Sequence, residues 1–208
     1  MTTKLSTFNA ALALLKQAPL TTLTDDILSR YTLDNHYAAA LRTTLELGKW
    51  NHAARSVAID ASVDEEPEFG YTFAFEMPDD FVRVIKLSAS ETLWPLLTDY
   101  AIEGAFFFAN TDPLYLSYVS SDTAYGGDLS LWPQVAATFL EHELAERIAP
   151  LIPSLGDDTM DRLKRDKQRA KRTAKGWDAQ QQPPEPPPPS RLIQARYWGR
   201  RFNSSSRT

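Results

Sequence analysis

The stretch Asp122–Ala149, DTAYGGDLSLWPQVAATFLEHELAERIA, is where the chain changes character. It begins with a Gly126-Gly127 turn just after a strand-like run, crosses a short apolar link, Leu129–Trp132, and enters a helix at Pro133. Proline is tolerated in the first helical turn, where its missing N–H would have had no partner. Ser130 or its neighbours can cap that start. The segment therefore joins a β-rich part of the chain to a helical, increasingly basic C-terminal part. Within the helix, Ala136, Phe139, Leu140, Leu144 and Ile148 form an apolar stripe, and Glu143 and Arg147 sit inside it, four apart. Two readings of that pair stand: a Glu–Arg couple at the rim of the stripe, or an ion pair between subunits of a ring.

Upstream, from Arg55, the hydrophobic period is two. Ser56–Val63, Tyr71–Glu76, Phe81–Leu87, Leu93–Leu97, Ala105–Ala109 and Leu114–Val119 are predicted strands. Turn residues separate them at intervals of about ten, which favours an antiparallel sheet or small barrel over a βαβ fold. The run Asp64, Glu65, Glu66, Glu68 reads as an exposed acidic loop. Phe81, Arg83 and Ile85 alternate with Val82, Val84 and Lys86, and the adjacent Asp79 and Asp80 read as a solvated turn pair.

Further upstream, two helices are predicted. Ser6 or Thr7 caps the first, which runs to about Gln17 with Phe8, Ala11, Leu12 and Leu15 on one face, and Pro19 ends it. Thr24 caps the second, with Asp25 and Asp26 in the first turn. It runs to about Leu47, lined by Ile27, Tyr31, Ala38, Leu41 and Leu45, and Gly48 terminates it. Trp50 reads as a core plug. The N-terminus has a basic residue and an apolar centre, like a signal peptide, but its apolar positions are periodic and no small-residue cleavage site follows, so a helix of a soluble, intracellularly made protein is expected.

Downstream, Pro150 and Pro153 break the chain, and Asp157 caps a fourth helix to about Gly176. That helix is acidic at its start and basic at its end, and thinly apolar (Met160, Leu163, Ala170, Ala174), as an exposed or flank-packed helix would be. The remainder is different material. Pro183–Pro189, PPEPPPP, reads as polyproline II. In RLIQARYWGRRF after it, Arg191, Arg196, Arg200 and Arg201 alternate with Leu192, Ile193, Tyr197, Trp198 and Phe202. A stiff spacer ending in aromatic and arginine anchors reads as a peptide that docks on a partner; the alternative is a tail folding back on its own body.

The fold expected is α+β: an α-helical bundle of about four helices, an inserted antiparallel β-sheet or small barrel, and an extended C-terminal tail. The parts are 1–54 (helical), 55–121 (β-rich insertion), 122–176 (helical) and 177–208 (Pro-rich docking tail). Net charge is −5 over 208 residues, and it is unevenly placed. Residues 1–155 carry 9 Lys and Arg against 21 Asp and Glu, and residues 156–208 carry 13 against 6. An acidic body with a basic tail points to a negative partner for the tail, nucleic acid or an acidic protein surface. There is no Cys, and His36, His52 and His142 are scattered, so neither a disulfide framework nor a metal site is expected. No phosphate-cradling Gly-rich loop, dinucleotide fingerprint or nucleophile elbow occurs. No cofactor is expected, nor a membrane span, since no apolar run reaches 18 residues.

Five pieces of the chain carry a family likeness: LSTFNAALALLK (5–16), LELGKWNHAARSV (45–57), FGYTFAFEMPDDFVRVIKL (69–87), YVSSDTAYGGDLSLWP (118–133) and the following helix LEHELAERIAP. In this order and at these distances they resemble the tail tubular protein A family, the head-to-tail adaptors of short-tailed bacteriophages. The resemblance implies a structural virion protein without catalysis. It implies a ring of twelve copies at the capsid vertex, made and assembled in the host cytoplasm. The helical part would meet the portal protein, the β-rich part the tail nozzle protein, and genomic DNA would leave through the lumen without sequence-specific binding. An acidic body suits such a channel, because like charge denies the counterion release that drives DNA binding. Two other classes remain open from the residues. One is a nucleic-acid-binding module using the basic helix and tail; the other, with less weight, is a cell-wall hydrolase with candidate acids such as Glu141 and Glu143.

Overall fold

Residues 2–152 and 155–181 are described by a computed structural model of the chain. Helix α1, Lys4–Leu14, has its N-cap at Thr3 and so starts three to four residues earlier than a cap at Ser6 or Thr7 would place it. Thr3 and Ser6 form a reciprocal capping box, Ser6 N–H donating to Thr3 Oγ1 and Thr3 N–H to Ser6 Oγ. The helix ends before Pro19 acts: Lys16 takes a left-handed conformation (φ 58°), and Gln17 N–H reaches back to the carbonyl of Leu12, a Schellman closure built without glycine. Its inward face is Phe8, Ala11, Leu12 and Leu15, all buried, as the spacing predicts.

Helix α2, Leu28–Glu46, differs more from its prediction. Thr24 caps nothing; Asp25 instead accepts from Thr21 and Thr22 in a turn ahead of the helix. The buried face is Leu33, Ala40, Thr44 and Leu45, while Ile27 and Tyr31 stay exposed. Thr44 can enter that face because its hydroxyl donates to the Ala40 carbonyl one turn back. Gly48 lacks the left-handed backbone of a terminating glycine. It is small for another reason: a Cβ there would lie 2.5 Å from the Trp50 indole.

The insertion contains β1, Ala54–Ile59; β2, Phe73–Glu76; β3, Phe81–Ser88; β4, Ala101–Glu103; β5, Phe106–Ala109; and β6, Leu114–Ser120. They form two three-stranded antiparallel sheets, ordered β1-β6-β3 and β2-β5-β4. The barrel alternative is thereby corrected: the strands do not close, and each sheet keeps two edges. The predicted strand Leu93–Leu97 is also absent. Its only ladder contacts are a Ser88–Leu96 bridge and Leu97 N–H to the Leu87 carbonyl, while the short β4 was not foreseen.

The first sheet is a middle layer. Leu87, Leu114, Leu116 and Tyr118 face the second sheet and pack with Phe75, Phe107 and Ala109. Val82, Ile85 and Val119 face the helices and join Phe8, Leu45, Trp50, Phe139 and Leu144 in the larger core. Strict alternation along β3 cannot produce this division. Two irregularities, between Phe81 and Arg83 and between Val84 and Lys86, each set an extra β3 residue against β6. Phe81, Val84 and Leu87 therefore share the sheet–sheet side at a spacing of three.

After β6 the chain makes a 3-10 turn at Leu129–Leu131, with Asp128 accepting from Ser130 N–H. Helix α3, Gln134–Ile148, follows, with Pro133 as the residue before the first turn and no side-chain cap. Pro150 lies in a 3-10 turn, Ala149–Leu151; Pro153 is outside the described residues. Helix α4, Asp157–Gln180, starts from Gly156 and continues past Gly176. Trp177, assigned to the tail from the sequence, is therefore helical. Only Leu163, Ala174 and Asp178 are buried on α4, in keeping with a helix laid on a flank.

Candidate interaction surfaces

Residues 45–57 and 118–133 meet where the helices join the first sheet. Trp50 is 1% exposed, and its indole N–H donates to the Thr44 carbonyl at 2.7 Å. The Trp132 indole donates to the Gly126 carbonyl at 3.0 Å. Between the two indoles lies His52, its ring centroid 4.9 Å from Trp132 and 5.8 Å from Trp50. Both His52 ring nitrogens are buried without a hydrogen-bond partner. Burial holds its pKa down to about 4, so the imidazole is neutral. Gly126 is fitted tightly here: a Cβ would lie 2.3 Å from the Ser120 carbonyl oxygen and 2.9 Å from the Ala53 Cβ. The far end of α4 is clamped at the same place, Asn51 N–H donating to Asp178 Oδ1 and the Asn51 amide to the Asp178 carbonyl, at 2.9 and 2.8 Å.

Asp80 corrects the reading of a solvated turn pair. Its carboxylate accepts from the Tyr118 hydroxyl at 2.8 Å, from Arg55 Nη1 at 3.0 Å, and from the Ser120 hydroxyl. Burial pushes its pKa up, but those three donors outweigh burial and hold it below the usual carboxylate range. Tyr118 is pushed up in return, by burial and then by the adjacent carboxylate. Accepting at both oxygens, Asp80 ties the start of β3 to β6 and β1. It is a structural rivet, and adjacency to Asp79 gave no sign of it.

Glu143 and Arg147 pair within the chain, Arg147 Nε to Glu143 Oε1 at 2.9 Å. Arg147 Nη2 also donates to Thr43 Oγ1 on α2 at 2.7 Å. Lys167 on α4 reaches the other Glu143 oxygen at 3.2 Å and pairs with Glu146 as well. Desolvation lowers the Lys167 pKa, but those two carboxylates raise it further than burial lowers it. The network ties three helices around a glutamate that is 5% exposed. Glu141, the other candidate acid, is raised by burial. Two positions from Glu143, it points about 160° away around α3, so the two do not form a facing pair.

Among the described residues, no group of three His, Cys, Asp or Glu is arranged to hold a metal ion. No described helix is long and apolar enough to cross a membrane. The expected docking residues Arg191, Leu192, Ile193, Arg196, Tyr197, Trp198, Arg200, Arg201 and Phe202, and the polyproline spacer before them, lie outside the described residues. No protein-family model matches the chain, and no curated protein matches it significantly.

Proposed function

We propose that the chain is a head-to-tail adaptor of a short-tailed bacteriophage, a structural protein whose copies ring the portal and carry the tail nozzle below. The observation that supports this reading most is the joint. Residues 118–133, where the family likeness is sharpest, and residues 45–57, an earlier piece of it, lie more than 60 positions apart, and Gly126 of the first packs against Leu45 and Ala53 of the second. They pack a helical body against a two-sheet body, the arrangement a coupling between two partners calls for. The half-buried carboxylate of Asp80 and the buried one of Glu143 are committed to ion pairs that maintain this shape. In this reading the acidic body lines a passage for the genome, and the C-terminal segment 191–208 grips the portal.

The test is co-sedimentation with purified portal rings, with particle mass read by light scattering or electron microscopy. The full chain is expected to decorate the rings, and a chain lacking Arg191–Thr208 to stay folded but bind them more weakly. Failure of the full chain to bind would overturn the adaptor reading; equal binding by both would remove the role of the tail.

A second reading, nucleic-acid binding, is favoured by one feature. On the α4 flank, burial and then the neighbouring Lys171 and Arg83 charges lower the Lys175 pKa, marking a local excess of positive charge. Duplex DNA would bind there with strong salt dependence. A gel shift at two salt concentrations separates the readings, since an adaptor of this kind is expected to leave duplex DNA unshifted.

A further inference from the structure

The two sheets are stacked so that their edges coincide in pairs, and the paired edges are unlike. On one side, β1 and β2 run together: Ser62 N–H, just past β1, donates to the Ala74 carbonyl of β2 at 2.7 Å. The loop joining these strands is tied down at both ends. Ala61 N–H donates to Asp112 Oδ1 at 3.1 Å, and the Thr72 N–H and hydroxyl both donate to Asn110 Oδ1 at 3.0 Å. Between the ties the loop stands out, with Val63 96% and Phe69 86% exposed on either side of Asp64, Glu65, Glu66 and Glu68. A clamped loop that shows large apolar groups beside four carboxylates has the form of a docking element.

On the opposite side, β3 and β4 flank an open groove of about 680 Å³. Leu96 and Ile102, 39% and 47% exposed, supply apolar surface to it. Its charged lining residues are Lys49, Arg83 and Lys86, with no Asp or Glu among the described residues that line it. Arg83 Nη1 is held by the Glu46 carbonyl at 3.0 Å and Lys49 Nζ by the Ile85 carbonyl at 3.2 Å. Both partners are neutral, so these two cations keep their charge uncompensated within those bonds.

We propose that the acidic 63–70 loop of one copy of this chain docks in the basic β3–β4 groove of the next. The occupant is a second copy because the complementary elements, apolar with negative charge and apolar with positive charge, lie on opposite edges of the same sheet stack. One copy cannot close that contact on itself, and a head-to-tail contact between unlike surfaces repeats until it closes a ring. The inference supplies the copy-to-copy contact of the adaptor and rests on that reading for its purpose.

Because the chain has no cysteine, the contact can be trapped cleanly by introduced pairs. Full-length Val63→Cys and Thr98→Cys chains, one carrying a mass tag, are mixed and oxidised without portal. The expected product is a heterodimer in about tenfold excess over that from Thr98→Cys mixed with Ala39→Cys, an exposed α2 position away from both edges. Adding Glu65→Lys and Glu66→Lys to the first chain, or Arg83→Glu and Lys86→Glu to the second, should remove the excess, and adding both sets should restore it. Salt of about 0.5 M should weaken it, as screening of a charge-guided contact requires. A yield no higher than the control, or one indifferent to the charge reversals, overturns the inference, and the groove then belongs to a different partner. Portal binding is measured separately, so either result can fail while the other stands.

Discussion

The joint and the sheet edges use the same kinds of residue in opposite ways. At the joint, two Trp side chains are buried, their indole N–H groups bonded to carbonyls, and Asp80 has a donor for each of its oxygens. At the edges, Phe69, Val63 and Ile102 remain open and charges collect by sign. The joint is finished within one chain. The edges hold unspent contact area, and substitutions there should change association and leave stability nearly untouched. The difference between the regions is thus measurable on two separate axes, unfolding and assembly.

The sharpest way to break the joint is Gly126→Ala. The added methyl meets the Ser120 carbonyl, backbone that cannot swing aside, so a loss of about 3 kcal/mol is expected in urea unfolding. Acid is the next lever. His52 titrates near 6.5 when unfolded and near 4 when folded. The unfolded chain therefore takes up the proton first, and stability falls as pH drops between those values, by up to about 3 kcal/mol. His52→Phe should flatten that limb of the stability–pH curve; an unchanged limb would mean another group carries it. Asp80→Asn should cost about 2 kcal/mol near neutral pH by weakening the bonds from Arg55, Tyr118 and Ser120. Because the Asp80 pKa is depressed in the fold, the stability it contributes is present above the unfolded value and lost as pH falls toward the folded one; the variant should therefore lose less than the parent in strong acid. The smallest effect on stability, within about 0.5 kcal/mol, is expected for Glu65→Lys with Glu66→Lys. Thermal unfolding checks it, and the same variant should show the largest loss in the trapping assay, completing the contrast between the regions.

Much of the frame was legible in the sequence. The inward face of α1, the stripe on α3 and the long β6 run each follow from a clean period with turn residues at its ends, and the burial of Trp50 from its place just after a helix end. The candidate surfaces were read less completely. The acidic loop was visible as a run of carboxylates. Its complement was not, because Lys49 lies in the connection after α2 and Arg83 and Lys86 in β3, and they line one groove only when β3 takes the edge of its sheet. The exposed β4 side of the groove was missed for a simpler reason: three residues are too few to show a period.

What the amino-acid order settled alone was the kind of most segments, all but Leu93–Leu97, β4 and the last turn of α4, since helix and strand periods, prolines and charge runs are properties of neighbouring positions. It also settled that no thiol is present, which makes the trapping experiment clean. What required the tertiary structure was every relation across distance: two open sheets in place of a barrel, the paired bulges that divide β3 between two cores, and the partners that make Asp80 and Glu143 ties between elements. The physical reason is that a charge or an apolar group acts through what lies within a few ångströms of it, and residues that far apart in sequence meet only after the chain has folded.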